Sequence, residues 1–175
     1  RHRTRLVTIV GALLVFELLP APRPLYSAAI PTVYRHVAAA PDDTRVLDLP
    51  SGVRDGTMSV GNFTARSQFF QTAHGKRLIG GYLSRVSKRR VRDIRLDPMM
   101  DALIWLGEGR ALDPSRWAAL VDAGPAFVER AKIAFVVIDC ERTSKANREF
   151  AIRAFRLQFV EADGPFELYR PAAAP

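Results

Sequence analysis

Between Gln71 and Arg85 the chain sets an imidazole (His74), cations (Lys76, Arg77 and Arg85), a phenol (Tyr82) and a hydroxyl (Ser84) around two glycine breaks, Gly75 and Gly80-Gly81. Such a mixture suits recognition of a phosphate or a sugar. An imidazole can donate to or accept from an oxygen near neutral pH, and neighbouring cations add charge-assisted bonds. Flexible backbone carrying such groups is a common composition for a binding loop. The same residues also have an ordinary structural reading. His74 could bond the last carbonyls of a helix that closes at Gly75, Gly80-Gly81 could permit a sharp turn, and Tyr82 could simply pack.

A second concentration follows at once. From Ser84 to Arg95 the chain carries Arg85, Lys88, Arg89, Arg90, Arg92 and Arg95, opposed only by Asp93. A run of this kind is usually solvated and often meets anions, so Lys88, Arg89, Arg90 and Arg92 are candidates for contact with anionic lipid. Cys140, between Asp139 and Glu141, follows an apolar strand where α/β proteins tend to bind ligands. A nucleophile there would need a base, for which His74 is the candidate; an inert, semi-buried thiol is the plainer reading.

Other chemistry is absent from the sequence. It has no Gly-rich dinucleotide or phosphate-loop signature, no His-Glu-x-x-His and no Cys-x-x-Cys. With histidines only at 2, 36 and 74 and a single cysteine, the expectation is no metal site, no cofactor and no intrachain disulfide. Lys+Arg of 26 against Asp+Glu of 18 gives a net charge of +8, which favours anionic partners. A nucleic-acid partner is disfavoured, because the basic run lacks interleaved aromatics and no recognised binding motif is present.

The elements that must position these groups read as a small layered α/β domain. At 175 residues and 48% hydrophobic, the chain has enough material for one core. A short helix carries Val33, Tyr34 and Val37; Arg45–Pro50 reads as a strand and Ser51–Gly61 as a loop. A helix over Asn62–Ala73 closes at Gly75, and Leu78-Ile79 reads as a short strand parallel to the first. Asp97-Pro98 and Asp113-Pro114 each place an aspartate cap before a first-turn proline, opening helices expected to stop at Gly107–Gly109 and at Gly124-Pro125. Ile133–Ile138 is continuously apolar, as a central parallel strand would be, and a helix capped by Ser144 follows it. Asp163-Gly164 between two apolar runs predicts a C-terminal β-hairpin. The expected sheet is therefore mixed but mainly parallel, with one antiparallel edge.

Before this domain lies Leu6–Leu19, apolar on all faces, preceded by Arg1, Arg3 and Arg5 and followed by Pro20, Pro22 and Pro24. At about 1.5 Å per residue the run covers roughly 21 Å, short of the ~30 Å hydrocarbon core. It reads as a short membrane helix with snorkelling arginines, with a signal segment or a buried core helix as alternatives. If it spans, the arginines place everything after Pro20 outside the cytoplasm. The expected division is 1–22 for the membrane helix and 23–175 for the domain. The chain opens on Arg1 rather than Met, which reads as a processed or partial chain.

Phe16-Glu-Leu-Leu-Pro-Ala-Pro22, Val46-Leu-Asp-Leu-Pro50, Gln71-Thr-Ala-His-Gly-Lys76 and Gly80-Gly-Tyr-Leu-Ser-Arg85, taken together and in this order, give a further indication. From about Phe16 to Tyr169 the chain resembles the C-terminal part of polytopic bacterial membrane proteins similar to the GT-C superfamily of glycosyltransferases. The resemblance implies a location in the inner or cytoplasmic membrane of a bacterium, with a compact α/β domain outside the cytoplasm. It implies sugar transfer from a polyprenyl-phosphate donor to a glycan or lipid acceptor. The catalytic carboxylate of that superfamily lies in an early loop that this chain lacks, so no catalytic residue is assigned. On this reading His74, Lys76, Tyr82 and Arg85 line a membrane-facing surface that holds acceptor or lipid phosphate. The alternative is a structural or protein-interaction domain without a ligand.

Overall fold

The structure, a computed structural model, describes residues 2–18 and 27–172. In chain order the elements are α1 (His2–Leu18), α2 (Val33–Ala38), β1 (Arg45–Leu49), β2 (Gly52–Arg54), β3 (Ser59–Gly61), α3 (Ala65–His74), β4 (Arg77–Leu78) and β5 (Gly81–Tyr82). They continue with α4 (Lys88–Leu96), α5 (Pro98–Gly107), α6 (Pro114–Ala131), β6 (Ile133–Asp139), α7 (Lys145–Ala154), β7 (Leu157–Asp163) and β8 (Phe166–Pro171).

Five strands form the main sheet in the order β4-β1-β6-β8-β7. β4, β1 and β6 run parallel, whereas β8 and β7 are antiparallel to their neighbours, so the sheet is evenly mixed rather than mainly parallel. The reason lies in the hairpin. Only Gly164 and Pro165 separate the paired residues Asp163 and Phe166, and a connection that short can join only antiparallel strands. The strand that follows the turn, β8, then takes the place beside β6.

Helices cover both faces. Leu47 and Leu49 of β1 and Val136 and Ile138 of β6 point towards α5, α6 and α7, meeting Leu103, Phe127 and Phe150. On the opposite face Val46, Phe135 and Val137 meet Val33 and Tyr34 of α2 and Phe70 of α3. Burial on both faces explains why β6 is apolar without alternation.

The caps read from the sequence are present. Asp97 accepts from the amides of Met99 and Met100, Asp113 from Arg116 and Ser144 from Asn147. Thr64 opens α3 and Gly75, at φ 66°, closes it. Two expectations fail. Ser51–Gly61 is not a loop but two short strands, joined to β5 in a second sheet of order β3-β2-β5. Asp55 fixes their connection by accepting from the amides of Thr57, Met58 and Val86, and these bonds hold its carboxyl down at about 2.

The second failure concerns α6, which does not stop at Gly124-Pro125 but continues to Ala131. Gly124 is there for close packing, since a Cβ at this position would lie 1.8 Å from the Ala154 carbonyl oxygen. Beyond it, buried Phe127 stacks on Phe155 with ring centroids 5.7 Å apart. Those contacts offset the one amide bond that Pro125 forfeits.

α1 is exposed along its whole length. Its 17 residues measure about 26 Å, and no helix among the described residues is long and apolar enough to cross a membrane. The Pro20–Pro24 break, the 22/23 boundary and Arg1 lie outside the described residues.

Candidate functional site

The four residues first singled out do not share one surface. His74 and Lys76, expected to face a ligand, are buried. The helix end directs the His74 ring inward, where it stacks on Tyr34 at 5.6 Å, and its Nδ1 accepts from the Lys76 amide at 3.0 Å. It therefore caps the chain just past Gly75 instead of donating to helical carbonyls. Burial, then the Lys76 ammonium, pulls the imidazole down to about 4. Its Nε2 has no partner. Lys76 reaches Asp42 at 2.7 Å and ties the β4 edge to the turn before β1. Tyr82 and Arg85 are exposed; the Tyr82 ring lies under the Arg54 guanidinium, 6.0 Å from its centroid.

The basic run forms α4, opened by Ser87, whose hydroxyl accepts from the Arg90 amide. Its partly buried side carries Val91 and Ile94 against Val53, Val60 and Ile104. Lys88, Arg89, Arg90 and Arg92 are exposed, and Asp93 approaches Arg89 and Arg92 no closer than 3.8 Å. Arg95 has a different task. It binds Asp101 at 2.9 Å and Glu108 at 3.0 Å, and so belongs to a half-buried ion network.

Sequence reasoning missed a third constellation, at the C-terminal ends of β1 and β6. Asp48 pairs in register with Val137, and Asp139 lies two residues further on. By the pleat, Asp48 and Asp139 both face α2 and α3. The Tyr34 phenol donates to Asp48 Oδ2 at 3.0 Å, while Asp48 Oδ1 and the buried hydroxyls of Ser51 and Thr143 have no partner. Burial pushes the Asp48 carboxyl up to about 7; the nearby hydroxyls of Ser67 and Tyr34 oppose the shift and the Asp139 carboxylate adds to it. Burial also raises Asp139, against hydrogen bonds from the amides of Glu141 and Arg142 and the charges of the Arg142 and Arg66 guanidiniums. The signal in the sequence was an aspartate inside an otherwise apolar strand, Val46-Leu-Asp-Leu49.

Beside this edge lies a cleft of about 630 Å³, lined by Arg54, Arg66 and Arg142, by Phe69 and Phe70, and by the start of α3. Cys140 is exposed, and its thiol is pushed up to about 11, by partial burial first and then by Glu167, so it is protonated at neutral pH. Among the described residues no group of three or more His, Cys, Asp or Glu side chains could hold a metal ion. No family model matches this chain, and no curated protein or solved structure matches it.

Proposed function

We propose that the chain is the C-terminal, extracytoplasmic part of a bacterial membrane protein of the GT-C glycosyltransferase kind. Its domain assists sugar transfer from a polyprenyl-phosphate donor by meeting anionic lipid at the membrane surface. The exposed face of α4 is the observation that carries this reading. Lys88, Arg89, Arg90 and Arg92 project from one short helix whose other side is anchored in the domain, and Asp93 balances only a fraction of their charge. Leu96, at the end of the same helix, is 70% exposed. Cations beside an apolar residue suit the boundary between headgroups and water, where each surface cation contributes about 1 kcal/mol. Tyr82 and Arg85, exposed just before α4, extend the same surface towards a phosphate or sugar.

The test is co-sedimentation of the whole chain with vesicles containing polyprenyl phosphate, compared with neutral vesicles. An excess on the anionic vesicles that shrinks with salt, and is abolished by Arg89→Glu, Arg90→Glu and Arg92→Glu together, supports the reading. An equal excess in the triple variant overturns it. A non-catalytic interaction domain is the second reading, favoured by the edge strand β7, where Phe159 is 59% exposed.

A further inference from the structure

We infer that the cleft between Arg54, Arg66 and Arg142 is a binding site, separate from α4, for a phosphate ester whose organic part is apolar. Three elements meet there. Arg54 ends β2, Arg66 stands in the first turn of α3, and Arg142 follows β6. Among the described residues none of the three guanidiniums forms an ion pair within 4.0 Å, whereas Arg95, Arg110, Arg116, Arg130 and Arg148 each do. Asp139, whose carboxyl feels the charges of Arg142 and Arg66, is buried and accepts from the backbone amide of Glu141 at 3.2 Å.

Arg66 is held in place without a carboxylate. Its guanidinium lies 5.6 Å from the Phe70 ring centroid and 5.7 Å from that of Phe166, two rings packed edge to face against each other. Such a cradle fixes the planar fork and leaves its N–H groups for an oxyanion. A phosphate monoester brings nearly two negative charges and several acceptor oxygens, which matches converging guanidiniums better than a carboxylate does. Thr64, Ala65 and Arg66 also line the cleft, so the positive end of the ten-residue helix α3 faces the same space.

The organic part follows from the rest of the lining. Phe69 is 43% exposed at the cleft, beside Phe70 and Ala28, and presents an apolar wall next to the cations. The volume, about 630 Å³, exceeds what a bare phosphate needs and falls in the range of small-molecule sites. Ser27 and Ala28 line the cleft as well. Nine residue steps separate Ser27 from Leu18, the last residue of α1, so the cleft stands at most about 32 Å from the end of that apolar helix. A lipid phosphate and a soluble phosphate ester share the required chemistry. Choosing the lipid rests on the membrane reading above, whereas the site itself does not.

The test is calorimetric titration of the whole chain with inorganic phosphate and with octyl phosphate below its micellar concentration. The expected result is at least tenfold tighter binding of octyl phosphate. Arg66→Gln with Arg142→Gln should weaken it at least tenfold, while Phe69→Ser should remove the advantage of the octyl chain and leave inorganic phosphate unchanged. All these side chains are exposed, and an unchanged thermal melt verifies folding. The α4 triple variant should bind octyl phosphate like the wild type, so the two sites fail or stand separately. Competition by phosphatidic acid vesicles, but not by phosphatidylcholine vesicles, assigns a lipid source; competition by neither assigns a soluble ester. Octyl phosphate binding no tighter than inorganic phosphate, or undiminished in the double arginine variant, overturns the proposal.

Discussion

Tyr34 and Asp48 meet in the interior through a 3.0 Å hydrogen bond from phenol to carboxyl, and the second carboxyl oxygen is left without a partner. Asp48 ionises near 3.8 in the unfolded chain and about 7 in the folded one. Between those values the folded state holds the extra proton, so stability falls as pH rises from about 4 to about 7 and is level above. Asp48→Asn should abolish this slope. Relative to wild type the variant should gain on the order of 4 kcal/mol between pH 4 and pH 8, read by urea unfolding. Parallel pH profiles for the two proteins would count against it.

His74 should act in the opposite sense. Its imidazole stays neutral in the fold down to about 4, while the unfolded chain takes up a proton near 6.5. The stability it contributes is complete above 6.5 and is lost as pH falls towards 4. His74→Leu leaves the Lys76 amide without its acceptor. The expected cost at pH 8 is about 1–3 kcal/mol, narrowing as the pH is lowered.

Gly124→Ala should destabilise strongly although alanine is the better helix former. The added methyl would overlap the Ala154 carbonyl of α7, so α6 and α7 must separate. A loss of about 1–3 kcal/mol is expected by calorimetry. A higher melting temperature in the variant would show that propensity outweighs packing there.

Arg95 and Arg92 lie one helical turn apart in sequence and should differ in effect. Arg95→Ala strips a half-buried cation from Asp101 and Glu108 and should cost about 1–2 kcal/mol. Arg92→Ala should leave the melting temperature nearly unchanged, since its one carboxylate partner lies 3.8 Å away across exposed surface.

Much of the fold was legible where a local signal and burial agree. The Asp-Pro caps, Ser144, Gly75 and the Asp163-Gly164 turn each act within a few residues, and β6 advertises its double burial by its unbroken apolar run. The small sheet was not legible. β2, β3 and β5 have only two or three residues each, too few for alternation to register, and they depend on Asp55 reaching Val86 across 31 positions. The site was misread for a related reason. His74 and Lys76 advertise chemistry by residue type, but their position at and just past the inward end of α3 buries them. Arg54, Arg66 and Arg142 look unremarkable in a chain with 26 basic residues, and only the sheet edge brings them together.

The strand order sets the sequence of assembly. β1 has two neighbours, the two-residue β4 and β6, whose residues lie about ninety positions later in the chain. β7 pairs with β8 alone, and β8 in turn pairs with β6. The first half of the domain can therefore close only the small sheet, β3-β2-β5, while the main sheet waits for β6, and contacts this remote in sequence slow folding. During synthesis, the edge of β1 that pairs with β6 stays open until Ile133–Asp139 has left the ribosome, so the nascent chain presents unpaired strand backbone to aggregation and to chaperone capture in that interval.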